Sequence, residues 1–440
     1  MLRTKTFNSE AELKEHIQGH SPSFYFSSRT STVIPYDKIE GVWKEYKDYT
    51  LCDLSKLPHQ AELTEDNLLK VRGAFSWKEA QEFLGPRGRA IKTSPTEDLA
   101  LILAGAATSC TGERCFSYGN LRSQIKKIKY LDFEGREVTL DSNKTLSETD
   151  SLGDYQNEFA HFKQFKNAPF PRFEYETDLM IGTEGQLGVI TEMEIETAEN
   201  LPVTYFFMLL PPWEDDYNVH LEIYEKVQNY REDIISCELI DHHSFSYLKP
   251  EERLGENNDV IFLEIKSDSF EKIFEELLSK LSLREDKMFE ISKQKFHQVR
   301  ASVPRAVFEV NSKMGVTKMG TDVQVIGVKN FRELLNFYRD CQKAGVRYNL
   351  FGHFGDAHLH FNFMPKPEEI QTCAKYLEDL YEQVLEFKGS PFAEHGIGIL
   401  KQKYIKNFWK PIHYQVFQEL KKTHDPHNQF FPQGFMSLTE

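Results

Sequence analysis

Cysteine is scarce in this chain of 440 residues, and none of its six cysteines stands in a CxxC pair. Closely spaced pairs of that kind are typical of zinc ribbons, iron–sulfur proteins and thioredoxin-like redox sites, so the sequence disfavours all three classes. The cysteines are also too scattered for a disulfide framework, which predicts reduced thiols and a cytoplasmic location.

Long apolar runs are missing as well. No stretch approaches the roughly 18 consecutive apolar residues of a membrane-spanning helix. The opening residues MLRTKTFNSEAELKEH also lack the apolar core of a signal peptide. Basic residues are outnumbered, with 53 Lys and Arg against 68 Asp and Glu, and the net charge is −15. Because binding to phosphate backbones depends on concentrated positive charge, we expect no nucleic-acid partner and no membrane span.

The length of the chain exceeds one ordinary core, so two domains are expected, with a boundary near Asn200. The first half mixes short strands and turns. It includes a predicted hairpin turn at FEGR, residues 133–136, and a polar stretch at 146–173 that predicts a long excursion or mobile loop. The segment ending in VITEMEIET is a predicted strand whose inward residues are Ile190, Met193 and Ile195.

Beyond Asn200 a strand–helix–strand rhythm occurs twice. PVTYFFMLL and TDVQVIG are predicted strands, and each precedes a segment with helical spacing, the second of which ends at Gly345. This rhythm predicts a split βαβ antiparallel sheet that carries helices on one face.

The richest segment is FGHFGDAHLHFN at 351–362, followed by AEHGIGILK at 393–401. His358, His360 and Asn362 alternate with apolar residues, which is the period of a strand that displays them on one face. Glycines bracket His353, so a turn is expected to bring this imidazole back towards that face.

Two imidazoles and a carboxylate suit zinc, manganese or iron, and three protein ligands with one open position form the catalytic type of metal site. Glu394 is the candidate third ligand, and His395 projects differently and is the candidate base. The alternative interpretation is that these histidines line a surface strand.

Two glycine-rich segments offer backbone for close approach to a ligand. One is GTEGQLGVI at 182–190, and the other is AGAATSCTGERCFSYGN at 104–120, where Arg114 is a candidate partner of a phosphate. A purely structural turn is an equally good interpretation of the first segment taken alone.

Five ordered motifs, the four segments just described and the terminal DPHNQFFPQG, resemble the flavin-dependent 2-hydroxy-acid dehydrogenases of the vanillyl-alcohol-oxidase fold. This group includes glycolate oxidase, D-lactate dehydrogenase and D-2-hydroxyglutarate dehydrogenase. The resemblance implies an α+β fold with a two-subdomain, PCMH-type FAD-binding domain at 1–199 and a ferredoxin-like, antiparallel-sheet substrate cap at 200–400. Residues 401–440 then return to the FAD domain.

The resemblance also implies roles for individual residues. It makes His353, His360 and Glu394 the metal ligands, His395 the proton-abstracting base, and Asn362 and Lys401 polar groups on the substrate side. Arg300 and Lys318 are the candidate cations for the substrate carboxylate, because arginine offers a planar fork. The implied FAD contacts are Pro95, Gly105, Thr108, Ser109, Gly112, Arg114, Tyr118, Gly119, Glu184, Gly188, Val189 and Ile190.

The chain departs from the family pattern in two places. Its N-terminal part is shortened, and the glycine-rich pyrophosphate loop has lost its glycines. The hydroxyls and guanidinium that replace them are expected to grip phosphate, namely Ser28, Arg29, Thr30, Ser31 and Thr32. In the histidine motif Ala357 and His358 replace the family's Gly-Asn pair, so His358 is expected to add a ligand or alter substrate contacts.

The function that follows is FAD-dependent oxidation of a 2-hydroxy acid, of D configuration by resemblance, to the 2-oxo acid. A divalent metal, zinc, manganese or iron, is expected beside the base, and the acceptor of the electrons is a quinone, oxygen or an electron-acceptor protein. Two alternatives are a flavin-free binding or assembly subunit on the same fold and a metal-dependent hydrolase.

Overall fold

The computed structural model describes residues 3–43, 48–255, 257–316 and 319–437. They form two compact units. The first unit comprises Met1–Thr111, Asn120–Asn200 and Glu394–Glu440, and the second comprises Gly112–Gly119 and Leu201–Ala393. No helix in the described ranges combines the length and the apolar character that crossing a membrane requires.

The strands of the described residues, in chain order, are β1 Arg3–Thr6, β2 Ser23–Phe26, β3 Thr50–Asp53, β4 Gln60–Leu63, β5 Leu68–Arg72, β6 Arg89–Ile91, β7 Ile125–Leu131, β8 Glu137–Asp141, β9 Val189–Glu199, β10 Val203–Leu210, β11 Ile234–Ile240, β12 Asp259–Lys266, β13 Met288–Glu290, β14 Met319–Gly320, β15 Tyr348–His353 and β16 His358–Phe363. The α-helices are α1 Glu10–Gln18, α2 Ile39–Val42, α3 Trp77–Leu84, α4 Ile102–Ala107, α5 Cys115–Tyr118, α6 Leu121–Gln124, α7 Leu152–Phe159, α8 Asn218–Val227, α9 His242–Ser246, α10 Ser267–Lys280, α11 Lys293–Met314, α12 Val328–Lys343, α13 Ile370–Gln383 and α14 Pro411–His424. The mixture of helices and antiparallel sheets confirms the predicted α+β class.

In the first unit, β1, β3 and β2 form a parallel sheet in that order. The connection from β1 to β2 runs through α1, which begins where the Ser9 side chain accepts a hydrogen bond from the N–H of Glu12 at 3.2 Å. Leu13 and Ile17 of α1 are fully buried. The loop at 27–32 begins at the carboxyl end of β2. In parallel sheets, ligand-binding loops usually follow the carboxyl ends of the strands.

A second sheet of the first unit is antiparallel, in the order β4-β5-β9-β7-β8, and β6 also pairs with β9. The predicted hairpin is confirmed, because β7 and β8 pair across a turn in which Gly135 has φ 73°. The three residues predicted to point inward from β9, Ile190, Met193 and Ile195, are all buried.

The prediction of a long excursion or mobile loop at 146–173 is wrong. This segment contains α7, and the Tyr155 hydroxyl donates to the carbonyl oxygen of Pro171 at 2.5 Å. Its core is built from aromatic rings, with Tyr155 and Phe173 packed against Phe417 of α14 at 6.1 and 6.0 Å between ring centroids. The prediction failed because it counted aliphatic residues, whereas phenylalanine and tyrosine bury large apolar surfaces here.

The second unit contains an antiparallel sheet in the order β13-β10-β12-β11-β15-β16-β14. Both β10 and β11 pair with β12, so the β10–α8–β11 crossover encloses β12 between two parallel strands, as the split βαβ arrangement requires. Part of the core is a cluster in which sheet residues pack against α11, including Phe262, Phe296, Val299 and Val303.

Two further predictions in the second unit have opposite outcomes. The helix predicted before Gly345 is confirmed as α12, and Gly345 follows it with φ 83°. The strand predicted at TDVQVIG is wrong, because the structure has there only isolated bridges from Gln324 to His358 and to Ser390. One bridged residue on each side does not form the ladder of successive pairs that defines a strand.

Candidate active site

The β15–β16 hairpin brings three histidines of the second unit together. His353 and His358 are opposite each other in its register, and His360 lies two residues further along β16. The three ring centroids are 4.8 to 5.9 Å apart. Each ring offers a nitrogen within 4.8 Å of the others, which is a spacing that a single metal ion can bridge. We call this set the histidine cluster.

Gly352 explains how the hairpin packs the rings so closely. Its φ is 137°, and a Cβ there would lie 3.0 Å from the carbonyl oxygen of His358 and 3.1 Å from Cδ2 of His360. Glycine is therefore the residue that permits this approach. The sequence prediction placed a turn here for the same reason.

Each histidine of the cluster also contacts a hydrogen-bond acceptor. His353 Nδ1 lies 2.8 Å from Glu238 Oε1, His358 Nε2 lies 3.0 Å from Asp322 Oδ1, and His360 Nδ1 lies 3.3 Å from the Thr321 carbonyl oxygen. Metal-ligating histidines characteristically donate one ring N–H to a carboxylate or carbonyl and bind the metal through the other nitrogen. The donor set and its supporting contacts therefore fit a divalent metal.

Glu238 connects the histidine cluster to Arg300 of α11. Its Oε2 accepts from Arg300 Nη2 at 2.7 Å, while its Oε1 contacts His353. Arg300 also pairs with Glu113, and its side chain is 9% exposed, whereas Glu113, Glu238 and His353 are buried. The guanidinium that the sequence assigned to the substrate carboxylate thus has two carboxylate partners within the chain, and its substrate role stays a prediction.

Sequence reasoning missed Glu238, Glu113 and Asp322. A signal was present for the first, because Glu238 lies inside the otherwise apolar strand IISCELI, whose residues are all buried. A charged residue within such a strand requires a partner. Nothing comparable marks Asp322, whose position depends on the isolated bridges of its segment.

Asn362 lies on the same side of β16 as His358 and His360. Its side-chain N–H groups donate to Asn349 Oδ1 at 2.9 Å and to the His360 carbonyl oxygen at 3.2 Å. Its Oδ1 is buried and accepts no hydrogen bond from the described part of the chain. Lys318, the other predicted cation, lies outside the described residues.

Glu394 and His395 open the last segment of the first unit, directly after Ala393. The N–H of Ala393 donates to the Asp322 carbonyl oxygen at 2.9 Å, within the second unit. The unit boundary falls at the peptide bond from Ala393 to Glu394, so the roles of Glu394 as third ligand and of His395 as base stay predictions.

In the first unit, Glu184 organises the loop that contains the second histidine motif. Its Oε1 accepts from the N–H of Ile397 at 2.6 Å, and its Oε2 accepts from the N–H of Gly398 at 2.9 Å. Burial raises the pKa of the Glu184 carboxyl to about 7, and these N–H groups and the Lys401 charge oppose that rise. A Cβ at Gly396 would lie 2.5 Å from Glu184 Oε1, so the loop requires glycine there.

The predicted phosphate loop, 27–32, follows β2 and reaches solvent. Arg29 has φ 56°, and its guanidinium lies 4.5 Å from the centroid of the Phe26 ring. The hydroxyls of Ser28 and Thr30 are 3.5 Å apart. Several hydroxyls and one cation on a loop at this end of a parallel sheet fit a phosphate group.

The segment at 104–111 contains several of the predicted flavin contacts. The hydroxyl of Ser109 donates to Asn167 Oδ1 at 2.7 Å, and that of Thr108 donates to the Ala104 carbonyl oxygen at 3.2 Å. Thr111, in contrast, is fully buried, and its hydroxyl has no hydrogen-bond partner among the described residues. A buried hydroxyl of this kind fits a polar ligand atom, and sequence reasoning did not single it out.

The remaining predicted contacts have mainly structural surroundings. A Cβ at Gly105 would meet Cys110 Sγ at 2.8 Å, and one at Gly188 would meet the Tyr130 ring at 2.5 Å. Val189 and Ile190 are buried in β9, and Pro95 is half-buried between β6 and α4.

Gly112, Arg114, Tyr118 and Gly119 belong to the second unit. There Arg114 Nη2 lies 2.7 Å from Glu264 Oε1. Burial acts to lower the pKa of Arg114, but the Glu264 carboxylate outweighs it and raises that pKa. Arg114 is therefore protonated, and its carboxylate partner, Glu264, lies in the same unit.

Comparison with known proteins identifies similar sequences and a similar structure. Residues 215–433 match the family described as FAD linked oxidases, C-terminal domain. The mitochondrial D-lactate dehydrogenase (cytochrome) of Kluyveromyces lactis is 24% identical over 385 residues, which cover 82% of this chain and 61% of that protein. The D-lactate dehydrogenase of Anaerostipes hadrus is 22% identical over 382 residues, covering 82% of this chain and 74% of that protein.

A solved structure of alkyldihydroxyacetonephosphate synthase has the same fold, with a TM-score of 0.68 at 13% sequence identity. The match covers 98% of this chain and 75% of that chain. The chain spans about three fifths of the length of the Kluyveromyces relative. The matched C-terminal domain and the curated relatives support an FAD-linked oxidase family for this chain, and the solved structure shows the shared fold.

Proposed function

We propose that this chain binds FAD and oxidises a 2-hydroxy acid of D configuration to the corresponding 2-oxo acid. The observation that carries the proposal is the histidine cluster, whose rings lie together and contact acceptors typical of metal ligands. The curated relatives support the substrate class, because their names specify D-lactate dehydrogenases.

Binding of FAD is assigned to groups of the first unit. Arg29 and the hydroxyls of Ser28, Thr30, Ser31 and Thr32 hold the pyrophosphate, and Thr111 supplies a buried hydroxyl. When bound, FAD accepts the hydride that leaves the substrate carbon. The chain's own task is to fix the hydroxy acid in the orientation from which that hydride leaves.

Removal of the hydroxyl proton is the costly step. An alcohol with a pKa near 16 and an imidazole near 6.5 differ by about nine units, or roughly 13 kcal/mol, so a histidine alone is insufficient. A divalent cation supplies the Lewis acidity that lowers the pKa of a hydroxyl bound to it. His353, His360 and Glu394 are the residues that would hold it, and Glu238 and the Thr321 carbonyl orient the two imidazoles.

His395 takes the hydroxyl proton on a ring nitrogen, and the substrate carboxylate is held by a cation. Arg300 and Lys318 are the proposed cations, with Asn362 and Lys401 as further polar groups on the substrate side. The proposed electron acceptors are oxygen, a quinone or an electron-acceptor protein. Any iron–sulfur relay must come from another chain, because the scattered cysteines of this chain form no cluster-binding motif.

The test is a visible spectrum and a metal analysis of the purified full chain, followed by anaerobic addition of D- and L-2-hydroxy acids. We expect flavin absorbance, about one metal ion for the histidine cluster, and bleaching by D substrates. A protein that stays colourless after incubation with FAD would favour the flavin-free subunit instead. Hydrolysis of esters or lactones without an electron acceptor would favour the metal hydrolase.

The variant His395→Asn separates the base from the metal site. We expect it to retain flavin and metal and to lose turnover by about 100-fold or more, because only proton removal is impaired. His360→Ala is the matched variant, and it should lose the metal of the histidine cluster and turnover together. Near-normal turnover of the His395→Asn variant would exclude His395 as the base.

A further inference from the structure

A second group of histidines lies elsewhere in the second unit, and the activity proposed above makes no use of it. It consists of Glu214, His242 and His243, which we call the acid–histidine cluster. Glu214 lies in the loop after β10, and the two histidines begin α9 directly after β11. The topology brings these positions together, because β10 and β11 both end next to the first residues of β12, Asp259 and Val260.

The distances within the acid–histidine cluster match those of a metal site. Glu214 Oε1 lies 3.3 Å from His242 Nε2 and 3.2 Å from His243 Nε2. The three ligand atoms lie within 4.8 Å of one another. In a tetrahedral zinc site with ligands at about 2.0 to 2.1 Å, neighbouring ligand atoms are about 3.3 Å apart. A cation therefore fits among these atoms with little movement of the side chains.

An outer layer of polar groups supports the ligands. Asp259 Oδ1 lies 3.3 Å from His242 Nδ1 and accepts from the His242 backbone N–H at 2.9 Å. Asp259 Oδ2 is in turn held by His220 Nε2 at 3.0 Å and by the Trp213 N–H at 2.7 Å. A carboxylate on Nδ1 that directs Nε2 to the metal is the common arrangement around zinc-binding histidines.

Charge favours a cation at the same place. The carboxylates of Glu214, Asp241 and Asp259 lie at this end of the sheet, and the last two are fully buried. Among the described residues, neither lysine nor arginine pairs with any of the three, and Asp241 Oδ2 has no hydrogen-bond partner. Buried negative charge without a fixed positive partner is costly, and a divalent ion offsets that cost.

The acid–histidine cluster is accessible to an ion and separate from the histidine cluster. The side chain of His243 is 41% exposed, whereas those of His242 and Glu214 are 14% and 11% exposed. The His243 ring contacts Tyr348, the first residue of β15, with centroids 4.9 Å apart. His353 is the last residue of that strand, five positions and about 17 Å further along.

We propose that the acid–histidine cluster binds a divalent cation of the zinc type. Glu214 Oε1, His242 Nε2 and His243 Nε2 are its protein ligands, and solvent occupies the fourth position. The ion joins the loop after β10 to the start of α9, so it stabilises this end of the sheet. It does so independently of FAD and of the reaction.

Cobalt titration of the metal-stripped full chain tests this proposal, because four-coordinate cobalt has intense visible absorbance. All proteins carry His360→Asn, which removes a ligand of the histidine cluster. His243→Asn and Glu214→Gln each remove a ligand of the acid–histidine cluster. His59→Asn is the matched control, because His59 is similarly exposed at 46% and pairs with a single carboxylate, Glu79, at 3.4 Å.

We expect the His360→Asn background and the His59→Asn control to bind one equivalent of cobalt with visible bands. His243→Asn and Glu214→Gln should lose those bands and bind at least tenfold more weakly. Zinc should also raise the melting temperature of the background protein and of the control, but not that of either ligand variant. Equal binding by all four proteins, or no binding by the background, would overturn the proposal. Comparing melting temperatures without metal shows that the variants are folded.

Discussion

Glu238 illustrates how one buried carboxylate can position two other side chains. It contacts His353 with one oxygen and Arg300 with the other, and Arg300 also pairs with Glu113. Removing one partner from such a buried set costs more than the pair contributes, since the remaining charge is left without compensation. The sequence placed His353 and Arg300 near the reaction but gave no indication that one carboxylate links them.

Glu184 offers a prediction at the same scale. Its folded pKa of about 7 lies above the ordinary value of 4.5, so the folded state binds its proton more tightly than the unfolded state. This contribution to stability is complete below about pH 4.5 and is lost as the pH rises through 7. When the pH rises from 5 to 8, we expect the titration of Glu184 to lower the unfolding free energy of the wild type by roughly 2 to 3 kcal/mol.

Urea unfolding of Glu184→Gln at the two pH values measures this effect. The amide oxygen can still accept from Ile397 and Gly398 but does not titrate, so the variant should lose less stability between pH 5 and 8 than the wild type. Glu368→Gln, at an exposed position, is the control and should behave like the wild type. An identical pH dependence in all three proteins would show that Glu184 does not titrate in this range.

At the scale of elements, the β15–β16 hairpin was predictable and its surroundings were not. Alternation of His358, His360 and Asn362 with apolar residues predicted the strand, and the glycines predicted the turn. The alternation suggested one polar face, but every residue of β16 is buried. Neighbouring segments such as that of Thr321 and Asp322 cover the polar side, and single-strand periodicity contains no information about them.

Gly352→Ala tests the link between hairpin geometry and the metal site. The new Cβ would face the His358 carbonyl and the His360 ring at 3.0 and 3.1 Å, in a backbone conformation that disfavours side chains. We expect a loss of about 1 to 3 kcal/mol of unfolding free energy together with weaker metal binding by the histidine cluster. Denaturant unfolding and metal analysis measure the two effects.

Gly345→Ala is the matched control for that variant. Gly345 also has a positive φ, 83°, but its Cβ would meet no atom within 4 Å. It should lose stability through backbone strain alone and keep its metal. Equal metal contents in the two variants would show that the close approach at Gly352 is not needed for the site.

At the scale of the whole molecule, the two units have different kinds of architecture. The first combines a parallel and an antiparallel sheet with segments from both ends of the chain, and the second is built on one antiparallel sheet. The chain crosses between the units after Asn200 and again after Ala393, and Gly112–Gly119 is a short insertion into the second. Sequence composition does not mark that insertion.

Ligand-induced stabilisation supplies a prediction for the complete chain. A ligand that binds only the folded state at 100 times its dissociation constant adds about 2.7 kcal/mol of stability. We therefore expect FAD to raise the melting temperature in a concentration-dependent manner. Arg29→Ala should weaken the effect of FAD but not that of riboflavin, which lacks the pyrophosphate. An equal loss for both ligands would place Arg29 away from the phosphates.

The sequence by itself determined the class of the fold, the β15–β16 hairpin and the resemblance to FAD-linked enzymes, because these follow from local periodicity, glycine positions and ordered motifs. Only the tertiary structure decided which acids accompany which histidines. The contacts of Glu238 with His353, of Asp322 with His358, and of Glu214 with His242 and His243 join residues 28 to 115 positions apart. The burial that selects these contacts exists only after folding. The same holds for the aromatic core at 146–173, whose rings become a core only when α14 packs against them.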